Sequence, residues 1–512
     1  MPAEGAVPAT STLPERVDVL VVGTGPVGTS YAREILEQAP GATVVLIDAG
    51  PQLTRQLGKN IRNLGPDARR EVQLAATRWT GQTPSDTGRI DGRIAARPGT
   101  FLLNEVAESE DEQEGMPAAA MAANIGGMGA HWTCACPPPG DSERIAFLED
   151  RFDEAFGRAW ELLSVTQAAF PANEAQRELQ EKLSAIFDQG RSEDRRVQPM
   201  PLACTPTGEP LPRWSGIDTI LSGLDESARA RLTIVPNVVC TKLVHDSGTV
   251  TAVQLVERES GTTHLVEVSA VAIAADALRT PQLLWASGIR PPALGRYLND
   301  QPQIVSALAV REDASHEAHG GDDTDFRQRL TGVLWIPFHD PDFPFHTQVM
   351  QIGTSPIELP DAEVEHRRII TWGRFTTKDI REEDRIEFSD TESDVFGLPK
   401  MTIHYSLSEK DWQTIERAKR DMVDQAATIG DFFSGSQPRL LPAGSSMHYQ
   451  GSVRMGEYDD GLSVCDPNSR VWGTSNVYVG GNGVIPTATA CNPTPTSVAL
   501  AVLGARDLVT RL

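Results

Sequence analysis

The sequence predicts an α/β protein in which a Rossmann-like domain is joined to a separate domain built on an antiparallel sheet with helices. Two observations support this prediction. Between residues 17 and 48, a strand, a glycine turn, a helix and a second strand ending in an acid follow one another. Between residues 303 and 388, five short apolar runs have the length and composition of strands.

The first region reads VDVLVV (17–22), GTGPVG (23–28), a stretch with apolar residues at helical spacing, and TVVLI (43–47). Gly23, Gly25 and Gly28 fit the pattern GxGxxG. In this pattern the first glycine makes a tight turn, the second lets backbone approach a pyrophosphate, and the third lets the helix pack on the strand. Free N–H groups at the helix start favour phosphate, and Asp48 is placed to accept hydrogen bonds from a ribose hydroxyl. The region predicts a dinucleotide site, with NAD and FAD both open.

The second region is expected to form an antiparallel sheet. Its apolar runs are QIVSALAV (303–310), TGVLWI (331–336), HTQVMQI (346–352), RRIITW (367–372) and DRIEF (384–388). Beyond them, Ser408 with Asp411 resembles a capping box, and Gly430 is a typical helix stop. The helix between them is predicted to have one apolar face, formed by Trp412, Ile415, Met422, Val423 and Ile429.

The carboxyl-terminal region carries SMHYQGSVRMG (446–456) and NVYVGGNGVIPTATACNPTPTSVALAVLGARDLV (476–509). NVYVGG predicts another buried strand that runs into a glycine turn. A helix is predicted to begin at Thr494, which can cap it, with Pro495 at the first helical position. Asn492 precedes this helix, and the following proline restricts its backbone to an extended form. Taken alone, Asn492 is a turn residue and His448 is a structural histidine.

The segment GAHWTCAC (129–136) follows the glycine-rich run IGGMG (125–129). Its side chains could hold a metal, fill a core or touch a cofactor. Metal binding is the weakest of these because His131, Cys134 and Cys136 supply at most three ligands, and no metal is expected. Core packing suits the cysteines, since a free cysteine behaves as a small hydrophobe. The glycines of IGGMG would let the backbone run close to a flat ring.

Composition excludes several classes of partner. The formal net charge of −24 repels phosphate backbones and anionic lipid surfaces, so we expect no nucleic-acid partner and no membrane association. No apolar run approaches the roughly 18 residues needed to span a bilayer. Residues 1–16 have neither the basic start nor the apolar stretch of a signal peptide. The predicted location is the cytoplasm.

Together these motifs resemble those of the glucose–methanol–choline (GMC) oxidoreductases and, within them, the pyranose oxidase branch. The resemblance covers nearly the whole chain and rests on GTGPVG with Asp48, AADALRTPQLLWASG (274–288), SDTESDVFGLPKMTIHY (389–405), HYQGSVRMG and GNGVIPTATACNPT. It implies FAD as cofactor. It also implies a discontinuous FAD-binding domain of residues 14–290 and 440–512, and a substrate-binding domain of residues 291–439, as in p-hydroxybenzoate hydroxylase-like folds.

IGGMGAHWTCA is similar to the segment that holds the flavin ring in fungal pyranose oxidases. By this match, His131 corresponds to a histidine joined covalently to the flavin 8α carbon, and Thr133 to a threonine beside flavin N5 and O4. Ala130 stands where the fungal motif has a threonine, which leaves a covalent bond and a close contact at His131 as alternatives. The resemblance also places Asn482 and Thr494 among the cofactor contacts.

The catalytic pair of the family corresponds to His448 and Asn492. A neutral imidazole suits a base that withdraws a hydroxyl proton, and an amide N–H can stabilise the developing alkoxide. The hydride of the alcohol then passes to flavin N5, because the flavin supplies the difficult chemistry.

HTQVMQIGTSP corresponds to the mobile substrate loop of the family, and Gln351, Gly353 and Thr354 lie at its tip. Arg374, in TWGRF, matches a family arginine near the pocket, with a surface ion pair as the alternative.

The implied activity is oxidation of a secondary hydroxyl of a pyranose, at C2 as in pyranose 2-oxidase, with C3 oxidation of C- or O-glycosides as the alternative. The electron acceptor would be oxygen, giving hydrogen peroxide, or a quinone. The chain is shorter than its fungal relatives, so we expect a monomer or homodimer. A nicotinamide dehydrogenase is disfavoured because its reaction would give His448 and Asn492 no role. A non-catalytic flavoprotein is also disfavoured.

Overall fold

The structure is a computed structural model, which describes residues 12–65, 67–69, 71–72, 111–209, 211–311, 331–351 and 368–512, and the backbone at 89–90, 93–94 and 100–102. Its strands are β1 Arg16–Val22, β2 Val44–Ile47, β3 Arg89–Ile90, β4 Arg93–Ile94, β5 Thr100–Leu102, β6 Ala120–Ala122, β7 Val165–Thr166, β8 Gln198–Pro199, β9 Leu202–Thr205, β10 Arg213–Trp214, β11 Leu232–Val235, β12 Val238–Asp246, β13 Thr249–Glu257, β14 Thr263–Ile273, β15 Gln303–Val310, β16 Gly332–Ile336, β17 Phe345–Gln351, β18 Ile369–Thr376, β19 Arg385–Ser393, β20 Pro399–His404, β21 Gly430–Phe432, β22 Arg439–Leu440 and β23 Val477–Val479. Its α-helices are α1 Pro26–Gln38, α2 Asp150–Leu163, α3 Glu174–Phe187, α4 Ile217–Leu221, α5 Glu226–Ala230, α6 Asp276–Ala286, α7 Glu409–Ile429 and α8 Thr494–Val509.

The first large sheet has the order β11-β2-β1-β14-β13-β12, with β23 also beside β14. The strands β11, β2, β1, β14 and β23 run parallel, whereas β12, β13 and β14 form an antiparallel meander. The register aligns Ile47, Val22, Ile273 and Val479, which are the last residues of four parallel strands. In open α/β sheets, ligands bind outside this edge.

The strands of this sheet form from segments rich in β-branched and aliphatic residues, which are buried in the structure. All four residues of β2 are buried, as expected for a parallel strand with both faces covered. One face packs against α1 and α8, where Tyr31 donates a hydrogen bond of 3.1 Å to Val479 O. A Cβ on Gly504 of α8 would overlap the Tyr31 hydroxyl, so this glycine allows the two helices to approach. The predicted α/β class with a Rossmann-like domain is confirmed.

The glycine turn after β1 has the geometry that the pattern predicts. Gly23 has a φ of +102°, and a Cβ there would overlap the carbonyl oxygen of Ala274. A Cβ on Gly28 would overlap the carbonyl oxygen of Gly23, so the third glycine permits the helix to pack on the strand. Gly25 precedes the first residue of α1 and has no side-chain cap, and its Cβ would meet no atom nearer than 4.0 Å.

The run IGGMG packs against this glycine turn. Gly126 N donates to Thr24 Oγ1 at 2.9 Å, and Thr24 Oγ1 donates to Asp48 Oδ2 at 2.6 Å. A Cβ on Gly127 would lie 3.1 Å from the Cα of Gly25. The glycines of this run therefore allow two backbone segments of the protein to approach closely, and the predicted approach to a flat ring stays a prediction.

The second large sheet has the order β21-β15-β18-β17-β16-β8, with β22 also beside β15. Its described pairs are antiparallel, as predicted from the apolar runs between 303 and 372. The run DRIEF does not join it, because β19 pairs with β20 in a separate ribbon.

Helix α7 covers one face of the second sheet. The capping box is confirmed: Asp411 N donates to Ser408 Oγ at 3.2 Å, and Ser408 N donates to Asp411 Oδ2 at 2.8 Å. Ile415 and its helical neighbours Ala418, Met422, Ala426 and Ile429 are buried. The predicted face was too wide, since Trp412 and Val423 are 40% and 46% exposed.

The segment from α3 to β8 lies within residues 14–290, the range predicted for the first part of the FAD-binding domain. However, β8 pairs with β16 of the second sheet, and α3 packs against β16 and α7. The predicted division at 290/291 and 439/440 stays a prediction, and this excursion argues for assigning α3 to β8 to the second unit. In the parts of the chain described, no helix has both the length and the apolar character needed to cross a membrane.

Thr24→Val should lower the free energy of unfolding by about 1–3 kcal/mol, because Gly126 N and the Asp48 carboxylate lose a buried partner. Urea unfolding followed by circular dichroism measures this change. Thr43→Val is the matched control, since the Thr43 hydroxyl bonds to Asp18 at an exposed position, and it should change the free energy by less than about 0.5 kcal/mol. Equal effects of the two variants would contradict the role of the Thr24 hydroxyl.

Candidate active site

His448 and Asn492 are brought together from two separate segments of the carboxyl-terminal region. Asn492 Nδ2 lies 3.3 Å from His448 Nε2. The N–H of His448 bonds to Ser446 Oγ at 3.0 Å, which fixes the backbone at the histidine. Both residues of the predicted pair are therefore in position to act on the same group.

The ring of His448 contacts uncharged side chains. Its ring lies 5.2 Å from the ring of Phe375, and burial lowers the pKa of His448 to about 3. The side chain is therefore neutral at neutral pH, and one ring nitrogen carries a lone pair. A partly buried, neutral imidazole of this kind can accept a proton.

The second sheet contributes side chains that sequence reasoning missed. Gln348 Nε2 donates to Asn492 Oδ1 at 2.6 Å, and the ring of His346 lies 5.9 Å from that of Phe375. Both residues belong to β17, where alternation sends positions 346 and 348 to one face. The run HTQVMQI predicted the strand. Only the pairing of the sheet shows that positions 346 and 348 face His448 and Asn492.

Glu143 holds the segment that leads to Asn492, and no motif indicated it. Its Oε1 accepts from Ala490 N at 2.6 Å and from Cys491 N at 3.1 Å, and its Oε2 accepts from Gly140 N at 2.5 Å. The carboxyl is buried, and this burial raises the pKa of Glu143 above its ordinary value. The three N–H donors compensate part of that cost.

Two predicted substrate residues lie on the other face of the second sheet. Arg374 is fully buried and donates to Thr347 Oγ1, Ala418 O and Gln425 Oε1, so it forms neither a pocket contact nor a surface ion pair. Burial lowers the pKa of Arg374 to about 9. Gln351 ends β17 and donates to Ala175 O at 3.4 Å, which places it against α3 and away from the pair. Gly353 and Thr354 lie outside the described residues.

The segment GAHWTCAC begins within a 3-10 turn, Gly127–Ala130, that packs on the start of α1. His131 is 5% exposed, whereas Thr133 is exposed. Cys134 and Cys136 belong to the main hydrophobic core, and they are free thiols, so the prediction of core packing is confirmed for both. Within the described residues, no group of three or more His, Cys, Asp or Glu side chains could hold a metal ion.

Two helix starts, those of α1 and α8, have features that suit an anionic cofactor, and together they are called the cradle. Neither α1 nor α8 has a side-chain cap or an acidic residue in its first turn, so their first N–H groups remain available to phosphate or to another anion. Thr494 is the first residue of α8 and not its cap, because the helix begins one residue earlier than predicted. Asn482 Oδ1 accepts from Ser497 Oγ at 2.6 Å, which ties the turn after β23 to this helix.

Asp48 directly follows β2, at the edge of the first sheet where the parallel strands end. Its carboxylate accepts from Thr24 and from Gly50 N at 3.0 Å, and burial raises the pKa of Asp48 to about 6. The glycine turn, the open space at Gly25 and the uncapped helix start fit a dinucleotide.

Two family models described as GMC oxidoreductase match residues 141–303 and 381–501. The chain belongs to the GMC oxidoreductases. Membership of this family implies FAD as cofactor, and the cradle at α1 and α8 fits that group.

Named relatives within the family cover almost the whole chain. A C-glycoside 3-oxidase of Microbacterium trichothecenolyticum is 43% identical over 98% of this chain and 98% of its own length. A pyranose 2-oxidase of Tricholoma matsutake is 33% identical over 97% of this chain and 94% of its own. A crystal structure of pyridoxine 4-oxidase from Mesorbium loti has a TM-score of 0.65 at 17% identity, with 96% of this chain and 99% of that chain covered. The last comparison supports the fold alone.

Glu143→Met should speed amide hydrogen exchange at Ala490 and Cys491, because their N–H groups lose their acceptor. The free energy of unfolding should fall by about 2 kcal/mol or more. Exchange followed by mass spectrometry of peptides covering 487–492 measures the first effect. Glu181→Met, at an exposed position of α3, is the control and should leave these peptides unchanged. Unchanged exchange in the Glu143 variant would show that other contacts hold the segment.

Proposed function

We propose that this protein is an FAD-dependent oxidase that converts the C3 hydroxyl of a glycoside into a ketone. The observation that carries the proposal is the partly buried, neutral His448 beside Asn492, in a chain that is 43% identical over 98% of its length to a C-glycoside 3-oxidase. The substrate class comes from that relative, and the chemistry comes from the pair.

Oxidation at C2 of a pyranose is the second candidate. The motifs favoured it, and the 33% identity to a pyranose 2-oxidase supports it. The higher identity to the C-glycoside 3-oxidase gives oxidation at C3 the stronger support. Both reactions need the same base and the same alkoxide stabiliser, so the pair itself does not distinguish C2 from C3.

His448 and Asn492 have different roles at the same substrate oxygen. The substrate hydroxyl replaces the direct contact between them, donates its proton to His448 Nε2 and accepts a hydrogen bond from Asn492 Nδ2. The hydrogen bond from the Asn492 amide strengthens as negative charge grows on the substrate oxygen. It therefore lowers the barrier more than it tightens substrate binding. Gln348 holds the Asn492 amide in the orientation that this role requires. FAD, when bound, would accept the hydride from the carbon that carries this hydroxyl.

The cofactor contacts proposed for this chain combine the motifs with the cradle. The pyrophosphate would bind at Gly23, Gly25 and Gly28 and the ribose at Asp48, while Asn482 and Thr494 would contact the flavin end at the start of α8. The uncapped starts of α1 and α8 support this arrangement.

At the flavin ring, we propose contacts with His131 and Thr133. A covalent bond from His131 is the stronger form of this proposal. The loop that carries the histidine is held against α1, which supports a fixed position for it.

The remaining partners are proposed on the same basis. Oxygen, reduced to hydrogen peroxide, is the acceptor that the oxidase relatives suggest, and a quinone is the alternative. The buried free thiols support a location in the cytoplasm, and a chain shorter than its fungal relatives supports a monomer or homodimer.

Turnover with a C-glycoside and, separately, with glucose tests the proposal when the products are analysed by NMR. A 3-keto product from the glycoside, formed faster than any product from glucose, is expected. His448→Gln is the control, because it should abolish flavin reduction by the sugar without oxygen while the protein keeps its flavin absorbance. A 2-keto product would favour the pyranose 2-oxidase alternative, and unchanged reduction in the variant would refute the base.

Acid precipitation tests the covalent bond at His131. If the bond forms, the pellet should keep the yellow colour, and His131→Ala should move the colour to the supernatant with the flavin still bound before denaturation. A white pellet from the unmodified protein would rule the bond out and leave the close contact.

A further inference from the structure

Gln301 lies beside His448 because the backbone segments that carry them are paired. Asn299 and Gln450 exchange backbone hydrogen bonds of 2.9 and 2.8 Å. Gln301 is 1% exposed, and its Oε1 is 2.7 Å from His448 Nδ1. It belongs to none of the motifs that indicated the site.

The orientation of the Gln301 amide is determined by its other contacts. Its Nε2 lies 2.7 Å from Cys491 O and 2.9 Å from Thr489 Oγ1. A backbone carbonyl only accepts hydrogen bonds, so the NH₂ group of Gln301 must face it. A flipped amide would place two acceptors 2.7 Å apart. The oxygen of Gln301 therefore faces His448.

This orientation selects one tautomer of the histidine. An oxygen facing Nδ1 requires that Nδ1 carry the hydrogen, because otherwise two lone pairs would meet at 2.7 Å. In the neutral ring, Nε2 is then the nitrogen with the lone pair. The NH₂ group of Asn492 faces Nε2 at 3.3 Å, which agrees with this assignment.

The same direction continues into the second sheet. With its NH₂ group on His448, Asn492 presents Oδ1 to Gln348 Nε2 at 2.6 Å. The other tautomer would create a lone-pair conflict at Gln301 and a conflict between hydrogens at Asn492. The hydrogen bonds from Asn492 through His448 and Gln301 to Cys491 O thus have a single consistent direction, set at the Gln301 end.

We propose that Gln301 is a positioning residue that keeps His448 in the neutral tautomer with Nδ1 protonated, so that Nε2 is free to take the substrate proton. The expected effect on the reaction rate rests on the proposed function. The tautomer itself is a property of the protein without substrate. In serine proteases, loss of the group that orients the catalytic histidine leaves the wrong tautomer and lowers kcat by about 10⁴. Gln301 would have the corresponding task, with a neutral amide in place of a carboxylate.

The tautomer can be measured directly in protein labelled with ¹⁵N in its histidine rings. Two-bond proton–nitrogen correlations distinguish a protonated from an unprotonated ring nitrogen, and the signals that disappear in His448→Gln identify His448. We expect Nδ1 to be protonated and Nε2 unprotonated at neutral pH. In Gln301→Met, which has a similar volume and no amide, the signals should change to the Nε2-protonated form or to a mixture.

The kinetic test uses a matched pair of variants. Gln301→Met should lower the rate of anaerobic flavin reduction by a glycoside by at least about 100-fold with little change in KM. Gln282→Met is the control, because Gln282 is equally buried and also anchors its NH₂ group on a backbone carbonyl, that of Pro399. This control should keep the tautomer and most of the rate.

Two results would overturn the proposal. One is His448 protonated at Nε2 in the unmodified protein, a measurement that needs no Gln301 variant to fold. The other is a Gln301→Met protein with unchanged tautomer and rate. If no glycoside or pyranose reduces the flavin of the unmodified protein, the proposed function fails, while the NMR result still decides the role of Gln301.

Discussion

Four parallel strands of the first sheet end in register, at Ile47, Val22, Ile273 and Val479. The strand β14 lies between β1 and β23, so this one alignment brings together regions that are more than 400 residues apart in the chain. Three of the segments that fit the cofactor begin just beyond this edge. The glycine turn follows β1, Asp48 follows β2, and Asn482 lies in the turn after β23. Loss of the register would separate these segments, whatever their own sequences.

The sequence was most informative where one local pattern specifies one local structure. The alternation of strand, glycine turn and helix predicted the first unit, and the capping box at Ser408 predicted the start of α7, because each depends on residues close together in the chain. The pairing of His448 with Asn492 was predicted only by resemblance, and the structure supports it with a direct contact. Neither residue alone carries a pattern that points to the other.

The remainder of the site could not be predicted, because it consists of single polar side chains brought together by tertiary structure. Gln301, Gln348 and Glu143 each contact the pair or its supporting segment, yet a lone glutamine or glutamate has no distinctive spacing. The same limit explains the errors at Trp412 and Val423. A wide apolar stripe on a helix does not reveal where the buried face ends, since that depends on the width of the sheet beneath it.

One strand, β17, serves the core and the site at once, because successive side chains point to opposite faces. Val349 packs in the core with α7, whereas Gln348 reaches Asn492. Substitution on the site face can therefore change what the pair meets without opening a cavity in the core. The base and its tautomer are instead held by the carboxyl-terminal segments and Gln301, whereas the Asn492 amide is also held by Gln348 of β17. Of these two neighbouring positions, Gln348 therefore acts on the Asn492 amide and Val349 on the packing beneath it.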